Sequence, residues 1–337
     1  MKTHIEKCLA GKHLTTDEAA NALGTIMTGN ATESQIAGLM VALRAKGETV
    51  DEVVGFARTM REHAVKIEID DPDAVDMCGT GGDGLGTFNI STVASFVVAG
   101  AGVTVAKHGN RSVSSQSGSA DVLTALGVNV QCPAERVRDC INHIGIGFLF
   151  APMFHPAMKY AAKPRAELGV RSFFNVLGPL TNPAGVRRQL VGVYRAEAAP
   201  IVANALQKLG AKRACIVHSA DGMDEVTLSG DTAVFEVNSG ERMTEYRLQP
   251  SSFGYRQYGI DSVRGGDKNA NAAITLDVLR GGKGPARDVV VANAALGIYV
   301  SGKASSVAEG KKLAEESIDS GKAMEKLDQL IRCTNKP

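Results

Sequence analysis

The rhythm of the chain changes once, near Ala74, and that change restricts the folds open to it. Before it, Thr15 with Glu18, Thr32 with Gln35 and Thr49 with Glu52 each set a hydroxyl three residues ahead of a Glu or Gln. This is the capping-box spacing, in which paired side chains satisfy the free amides of a helix start. Apolar residues of helical period follow, as in Ile36, Leu39, Met40 and Leu43, and Gly29 and Gly47 supply stops. Residues 1–70 therefore read as a small all-helical domain. Asp71-Pro72-Asp73 reads as the link out of it and part of a hinge.

Beyond Ala74 short apolar runs alternate with helical segments. Strands are expected at 75–77, 103–106, 146–150, 189–194 and 214–218, with helices from near 91, at 118–126, 133–144 and 199–210. Such alternation predicts an α/β domain over 74–337, its mainly parallel sheet covered by helices. Residues 232–248 break the rhythm: Asn238-Ser239-Gly240 between two alternating runs predicts a local hairpin. Helices return at 285–301 and 305–318. A helix near 155–180 is expected to join the helical domain, which would form one side of a cleft.

Charge narrows the partners. With 37 basic and 36 acidic side chains the net charge is +1, which offers no broad basic face to nucleic acid or anionic lipid. No run of about 18 apolar residues is present, so no membrane span is expected, and the first residues lack a signal-peptide core. Six scattered cysteines without a CxxC pair predict free thiols in a reducing compartment, the cytoplasm by default.

The most informative segment runs from Cys78 to Thr92. Gly79, Gly81 and Gly84 formally satisfy GxGxxG, but the ribose-binding acid expected about 20 residues on is replaced by Thr104-Val105-Ala106-Lys107. The helix also begins late, near Ser91, so a dinucleotide site is rejected. The segment still suits an anion, because glycines admit close backbone approach and Asn89, Ser91 and Thr92 stand where a helix start offers free N–H groups. Between Asp83 and Asp121 there is no acid, whereas Lys107 and Arg111 are present. A glycine loop beside buried, acid-poor elements would give the same pattern without a ligand. Residues 107–119 follow a strand end and gather cations and hydroxyls, as a loop over phosphates would, or as a polar surface loop before a Ser-capped helix would.

Four segments then carry a resemblance: GTGGDGLGTFNIST from Gly79, KHGNRSVSSQSGSADVLTALGV from Lys107, RAELGVRSFFNVLGPLTNPAG from Arg165, and DGMDE from Asp221. In order and spacing they resemble the motifs of anthranilate phosphoribosyltransferases, and weaker likeness extends the match over nearly the whole chain. The resemblance implies the nucleoside phosphorylase/phosphoribosyltransferase type of α/β fold. It also implies transfer of the phosphoribosyl group of 5-phosphoribosyl-1-pyrophosphate (PRPP) to the amine of anthranilate, with Mg2+, in tryptophan biosynthesis. PRPP contacts are implied for Gly79, Gly82, Asp83, Thr87, Asn89, Ile90, Ser91, Thr92, Lys107, His108, Gly109, Asn110, Arg111, Ser112, Val113, Ser114, Ser115 and Ser119. Anthranilate contacts are implied for Gly79, Asn110 and Arg165, and metal contacts for Ser91, Asp224 and Glu225. A homodimer through the helical domain is implied as well.

The planar, permanently charged Arg165 suits a carboxylate, although an ion pair with Glu167 would be the commoner fate of a helical arginine. Asp224 and Glu225 are hard oxygen ligands suited to Mg2+, or else a solvated acidic turn. His108 and His155 are candidates for the wall of an aromatic pocket. No general acid or base is assigned, since the anthranilate amine is already neutral at pH 7; Lys107 is given an electrostatic role. Lys163-Pro164 stands where the family commonly has Pro-Val, and Gln116 where lysine is frequent. The alternatives are a pyrimidine nucleoside phosphorylase and a non-catalytic nucleic-acid-binding relative.

Overall fold

The computed structural model describes residues 1–111 and 116–336. Helices Lys2–Leu9, Thr16–Met27, Glu33–Lys46 and Val50–Glu62 open the chain, and Thr15, Thr32 and Thr49 each form the capping box their spacing predicts. Glu52 has a second duty: fully buried, it accepts from the Leu14 amide at 2.8 Å and pairs with Lys46 at 2.7 Å. Removing one partner would strand the other charge in the interior, at a cost of about 3–5 kcal/mol.

Seven strands follow: β1 (Val75–Gly79), β2 (Val105–Gly109), β3 (Ile146–Phe150), β4 (Arg188–Gly192), β5 (Arg213–Ser219), β6 (Thr232–Asn238) and β7 (Thr244–Leu248). They make one sheet in the order β3-β2-β1-β4-β5-β6-β7, with β3 through β5 parallel and β6 and β7 antiparallel at one edge. The hairpin expected at 232–248 is present, but it extends the main sheet rather than standing apart. Ala233 to Val237 pair with His218 to Ala214, which gives the apolar face of β6 a place to be buried.

Alternation along the parallel strands builds two large cores and a smaller one holding Ala106 and Leu149. Met77, Leu190, Cys215 and Val217 face the buried Pro285–Ser301 helix and its neighbours, while Cys78, Val191, Val193 and Ile216 face the other way. The second core runs on into Phe56, Leu43 and Leu23 of the first helices, so the helical part and the sheet share one apolar cluster. Helix Lys159–Leu168 packs on the Glu33–Lys46 and Thr16–Met27 helices, and its Lys163 reaches Glu33 at 2.7 Å. Downstream of the first domain, Asp73 is held by Lys212 at 2.6 Å and Arg188 at 2.9 Å. The residues before it are tied as well: the Asp70 amide donates to Asn142 at 3.1 Å, and Asp71 accepts from the Asp73 amide at 2.9 Å.

Candidate active site

The strand order reverses between β1 and β4: the chain leaves β1 toward β2 and β3, then returns to β4 on its other side. In open α/β sheets the crevice beyond the strand ends at such a point is where ligands bind. Here it is framed by the glycine loop after β1 and the segment after β4. Gly81, Gly82, Gly84 and Gly86 all have positive φ, a region closed to most side chains, so the loop's path requires glycine. The path is tied down from both sides: the Thr80 amide donates to the Gly192 carbonyl at 2.9 Å, and the Gly265 amide to the Gly86 carbonyl at 2.8 Å.

The loop runs into the Ile90–Gly100 helix, with Asn89 at its N-cap making no side-chain cap bond. Instead Asn89 donates to the Ser117 carbonyl at 3.1 Å and accepts from Asn271 at 3.0 Å. Asn271, buried on the Lys268–Leu279 helix, also accepts from the Gly266 amide at 2.8 Å. One asparagine thus braces both the N-cap and the 265–266 turn; within the sequence it reads as an ordinary polar helix residue.

The acidic turn at 221–225, distant in sequence, reaches the same place. Asp224 Oδ2 accepts from the Gly81 amide at 2.8 Å, and Glu225 Oε1 from the Ser91 amide at 3.0 Å. Gly79 and Gly192 make room for it: a Cβ on Gly79 would lie 2.8 Å from Asp224 Oδ2, and one on Gly192 would run into the Asp224 backbone. Both carboxylates are half-buried. Loss of water and the nearby Asp83 raise Asp224 to about 7, and loss of water and Asp224 raise Glu225 to about 8.

Beneath them Lys107, 4% exposed, donates to the Met77 carbonyl and lies 3.4 Å from Ser91 Oγ. Burial lowers its pKa while Asp76, Glu225 and Asp224 oppose that shift. Its charge thus stands under the helix start rather than in the open crevice. Asp76 is fully buried and accepts from the His108 amide at 3.0 Å and from Asn182 at 2.8 Å, linking β1, β2 and the 178–185 segment. His108 Nδ1 lies 3.1 Å from the Gly178 carbonyl, and its ring centroid is 5.1 Å from that of His155. Burial brings His108 down to about 3 and His155 to about 4, so both are neutral imidazoles at pH 7.

Gly109 ends β2 and Asn110 and Arg111 follow it, Ser119 opens the Ser119–Ala125 helix, and Thr87 bridges to Arg264. The Asn110 carbonyl accepts from Ser119 Oγ at 3.1 Å, and Arg111 pairs with Asp121 at 2.9 Å. Ile90 and Thr92 have buried side chains, and their amides donate to the Phe88 carbonyl at 2.8 Å and the Asn89 carbonyl at 3.0 Å. Ser112, Val113, Ser114 and Ser115 lie outside the described residues. Arg165 has desolvated surroundings that lower its pKa, and its guanidinium lies 5.1 Å over the Phe174 ring. The ion pair with Glu167 does not form; among the described residues Lys163, not Arg165, lies within reach of Glu167, at 3.9 Å.

The arrangement fits a divalent cation of the Mg2+ kind. Among the described residues no group of three or more His, Cys, Asp or Glu stands close enough to cage a metal. Mg2+ needs no such cage: it is held by one or two carboxylates while waters and substrate phosphates complete its shell. Asp224 and Glu225, beside Ser91 and backbone amides suited to phosphate, meet that requirement.

Known proteins give the family. Residues 2–64 match the helical bundle domain of the glycosyl transferase family, and residues 71–324 its a/b domain. The anthranilate phosphoribosyltransferase of Pelotomaculum thermopropionicum is 52% identical over 334 residues, covering 99% of this chain and 96% of that one. The crystal structure of the Thermus thermophilus enzyme superposes with a TM-score of 0.94 at 43% identity, covering 99% of each chain. The Saccharomyces cerevisiae enzyme, solved with PRPP and Mg, gives a TM-score of 0.91 at 29% identity, covering 99% of this chain and 97% of that one. Neither the phosphorylase nor the nucleic-acid-binding alternative finds support among them. With the likeness running end to end and the family's motifs meeting at one crevice, the chain belongs to the anthranilate phosphoribosyltransferase family.

Proposed function

We propose that this chain transfers the 5-phosphoribosyl group of PRPP to the amine of anthranilate, giving N-(5-phosphoribosyl)anthranilate and pyrophosphate in tryptophan biosynthesis. The observation that carries the reading is the Asp224–Glu225 pair set against the glycine loop and the start of the Ile90–Gly100 helix. Backbone amides at a loop and a helix start suit phosphate oxygens, whereas two carboxylates alone would repel them. Asp224 and Glu225 would hold a divalent cation that offsets this repulsion, and bound Mg2+ would supply charge neutralisation to the departing pyrophosphate.

The chain's own residues do the rest by position and field. Gly79, Gly82, Asp83, Thr87, Asn89 and residues 90–92 hold PRPP from the loop side, Lys107 to Arg111 from β2 and the turn after it, and Ser119 from the start of the Ser119–Ala125 helix. Ser112 to Ser115 belong to the same proposed contact set. Lys107 adds its charge through Ser91 from below. As the C1–oxygen bond to pyrophosphate breaks and the nitrogen–C1 bond forms, the ribose becomes cationic while the electrons of the broken bond leave with pyrophosphate, whose charge Lys107 helps to offset. The amine arrives neutral and loses its proton after attack, so positioning rather than base catalysis sets the rate. Gly79, Asn110 and Arg165 hold anthranilate, the neutral His108 and His155 rings offering an uncharged wall. A yeast relative solved with 4-fluoroanthranilate supports an aromatic acceptor in this fold.

Loss of anthranilate fluorescence on mixing protein, anthranilate, PRPP and Mg2+ tests the reaction. Depletion requiring every component is expected; no depletion despite PRPP binding would move the acceptor elsewhere, and no PRPP binding would overturn the reading. Arg165→Ala should raise KM for anthranilate about 10- to 100-fold, the loss of a charge-assisted contact, while KM for PRPP stays within about threefold. Equal rises in both would remove Arg165 from the acceptor site.

Residues 1–70, joined by the Lys159–Leu168 helix, are proposed as one side of the cleft and as the dimer surface. Leu9, Val41 and Tyr160 are exposed there at 70%, 47% and 40%. A sedimentation mass of one chain, 35.3 kDa, would exclude the dimer. The six free cysteines fit the cytoplasm, and among the described residues no helix is long and apolar enough to cross a membrane.

A further inference from the structure

The glycine loop has a second anchor that the acids do not supply. Gly81 and Gly82 both have positive φ, at 64° and 80°, and form the bend at the loop's tip. Asp224 holds the amide side of this bend, at Gly81. On the carbonyl side, Arg171 Nη2 donates to the Gly82 oxygen. The guanidinium lies flat against the bend: a Cβ on Gly82 would sit 3.3 to 3.7 Å from its Nη2, Cζ and Nε. Its Cζ lies 4.0 Å from the centroid of the Tyr194 ring, well within cation–π distance. Tyr194 is itself tied to the loop, because its amide donates to Thr80 Oγ1 at 3.2 Å. An acid on one side of the bend and a cation on the other thus complement the peptide dipoles between them.

Arg171 also comes from a different body of the fold. It lies two residues before an aromatic stack in which the Phe173 ring centroid is 4.3 Å from that of Phe56 in the helical part and 4.2 Å from that of Phe174. Phe174 in turn carries Arg165 on its face. The glycine tip is therefore fastened to the segment that presents the acceptor-side arginine and rests on the helical domain.

We propose that Arg171 is a positioning residue of the phosphate loop, setting the Gly81–Gly82 bend from the acceptor-side segment through the Gly82 carbonyl and Tyr194. This rests on the proposed PRPP reading for its kinetic consequence, though not for the structural one. A loop of four positive-φ glycines loses much entropy when ordered, so releasing one anchor should loosen the tip before any ligand arrives.

The test compares wild type, Arg171→Ala and Arg171→Lys by hydrogen exchange of the loop amides at 80–86 without ligand, and by kinetics. Arg171→Ala is expected to exchange about tenfold faster there, with exchange elsewhere unchanged. It should raise KM for PRPP about tenfold or more while KM for anthranilate stays within about threefold. Lysine keeps the donor and charge but not the flat stacking, so Arg171→Lys should recover part of both losses. Unchanged loop exchange in Arg171→Ala would overturn the proposal, as would equal rises in the two KM values. If wild type shows no PRPP turnover, the functional reading fails, while the exchange experiment still decides whether Arg171 sets the loop.

Discussion

Gly192→Ala is expected to lower kcat/KM by about 100-fold or more and to destabilise the fold by about 1–3 kcal/mol. Gly192 ends β4, pairs with Gly79 of β1, and accepts the Thr80 amide at 2.9 Å. A Cβ there would lie 2.5 Å from the Asp224 carbonyl carbon and 3.3 Å from its Cα, and closer still to the carbonyl oxygen. These are backbone atoms, which cannot rotate aside as a side chain can, so either the acidic turn or the strand end must shift. A shift of that size breaks the short bonds from Gly81 and Ser91 that aim Asp224 and Glu225. Misplacement of about 1 Å at a reacting centre is enough for a loss of this order. Steady-state kinetics with urea unfolding would check it. Activity within threefold of wild type would mean the turn tolerates movement and that its geometry does not govern the chemistry.

The second large effect joins activity to stability with opposite signs. Asp224→Asn with Glu225→Gln should cut kcat/KM about 100- to 1,000-fold, the scale of losing a charge-stabilising group, yet raise Tm in metal-free buffer at pH 8. The amides keep acceptor oxygens for Gly81 and Ser91 and remove two crowded charges. The sign follows from linkage. Both acids are raised in the fold, to about 7 and about 8, so the folded state holds its protons longer than the unfolded chain. The favourable contribution of the protonated acids is complete below the ordinary carboxylate range and is lost as pH climbs through those values. Metal-free wild type should therefore lose Tm between about pH 5 and pH 8 relative to the double variant. Magnesium with PRPP should stabilise wild type and leave the variant largely unmoved. Parallel Tm curves for the two proteins across that range would contradict the crowded-acid account.

How far the site could be read in advance depended on distance along the chain. The three capping boxes are contacts over three residues, so Thr15, Thr32 and Thr49 declared their helices outright. β3 has the expected bounds because Ile146, Phe148, Leu149 and Phe150 lie between Gly145 and Pro152. β2 was expected at 103–106 but spans Val105–Gly109, since its last residues, Lys107, His108 and Gly109, are polar or small. What makes them strand is pairing with Phe148, Leu149 and Phe150 of β3, which no local pattern reveals.

The chemistry divides in the same way. The glycine run and the acid-free stretch to Asp121 could be named from residue type and order, because phosphate demands particular groups, whereas Arg165 and the DGMDE turn stood out only through the family resemblance. That Asp224 meets Gly81 across 143 residues and Glu225 meets Ser91 across 134 was settled only when β1 and β4 became neighbours. Arg171, Asn271 and Gly192 stayed hidden for the same reason. A clamp, a brace and a missing Cβ are defined by what lies opposite them, and strand order, not local propensity, decides that.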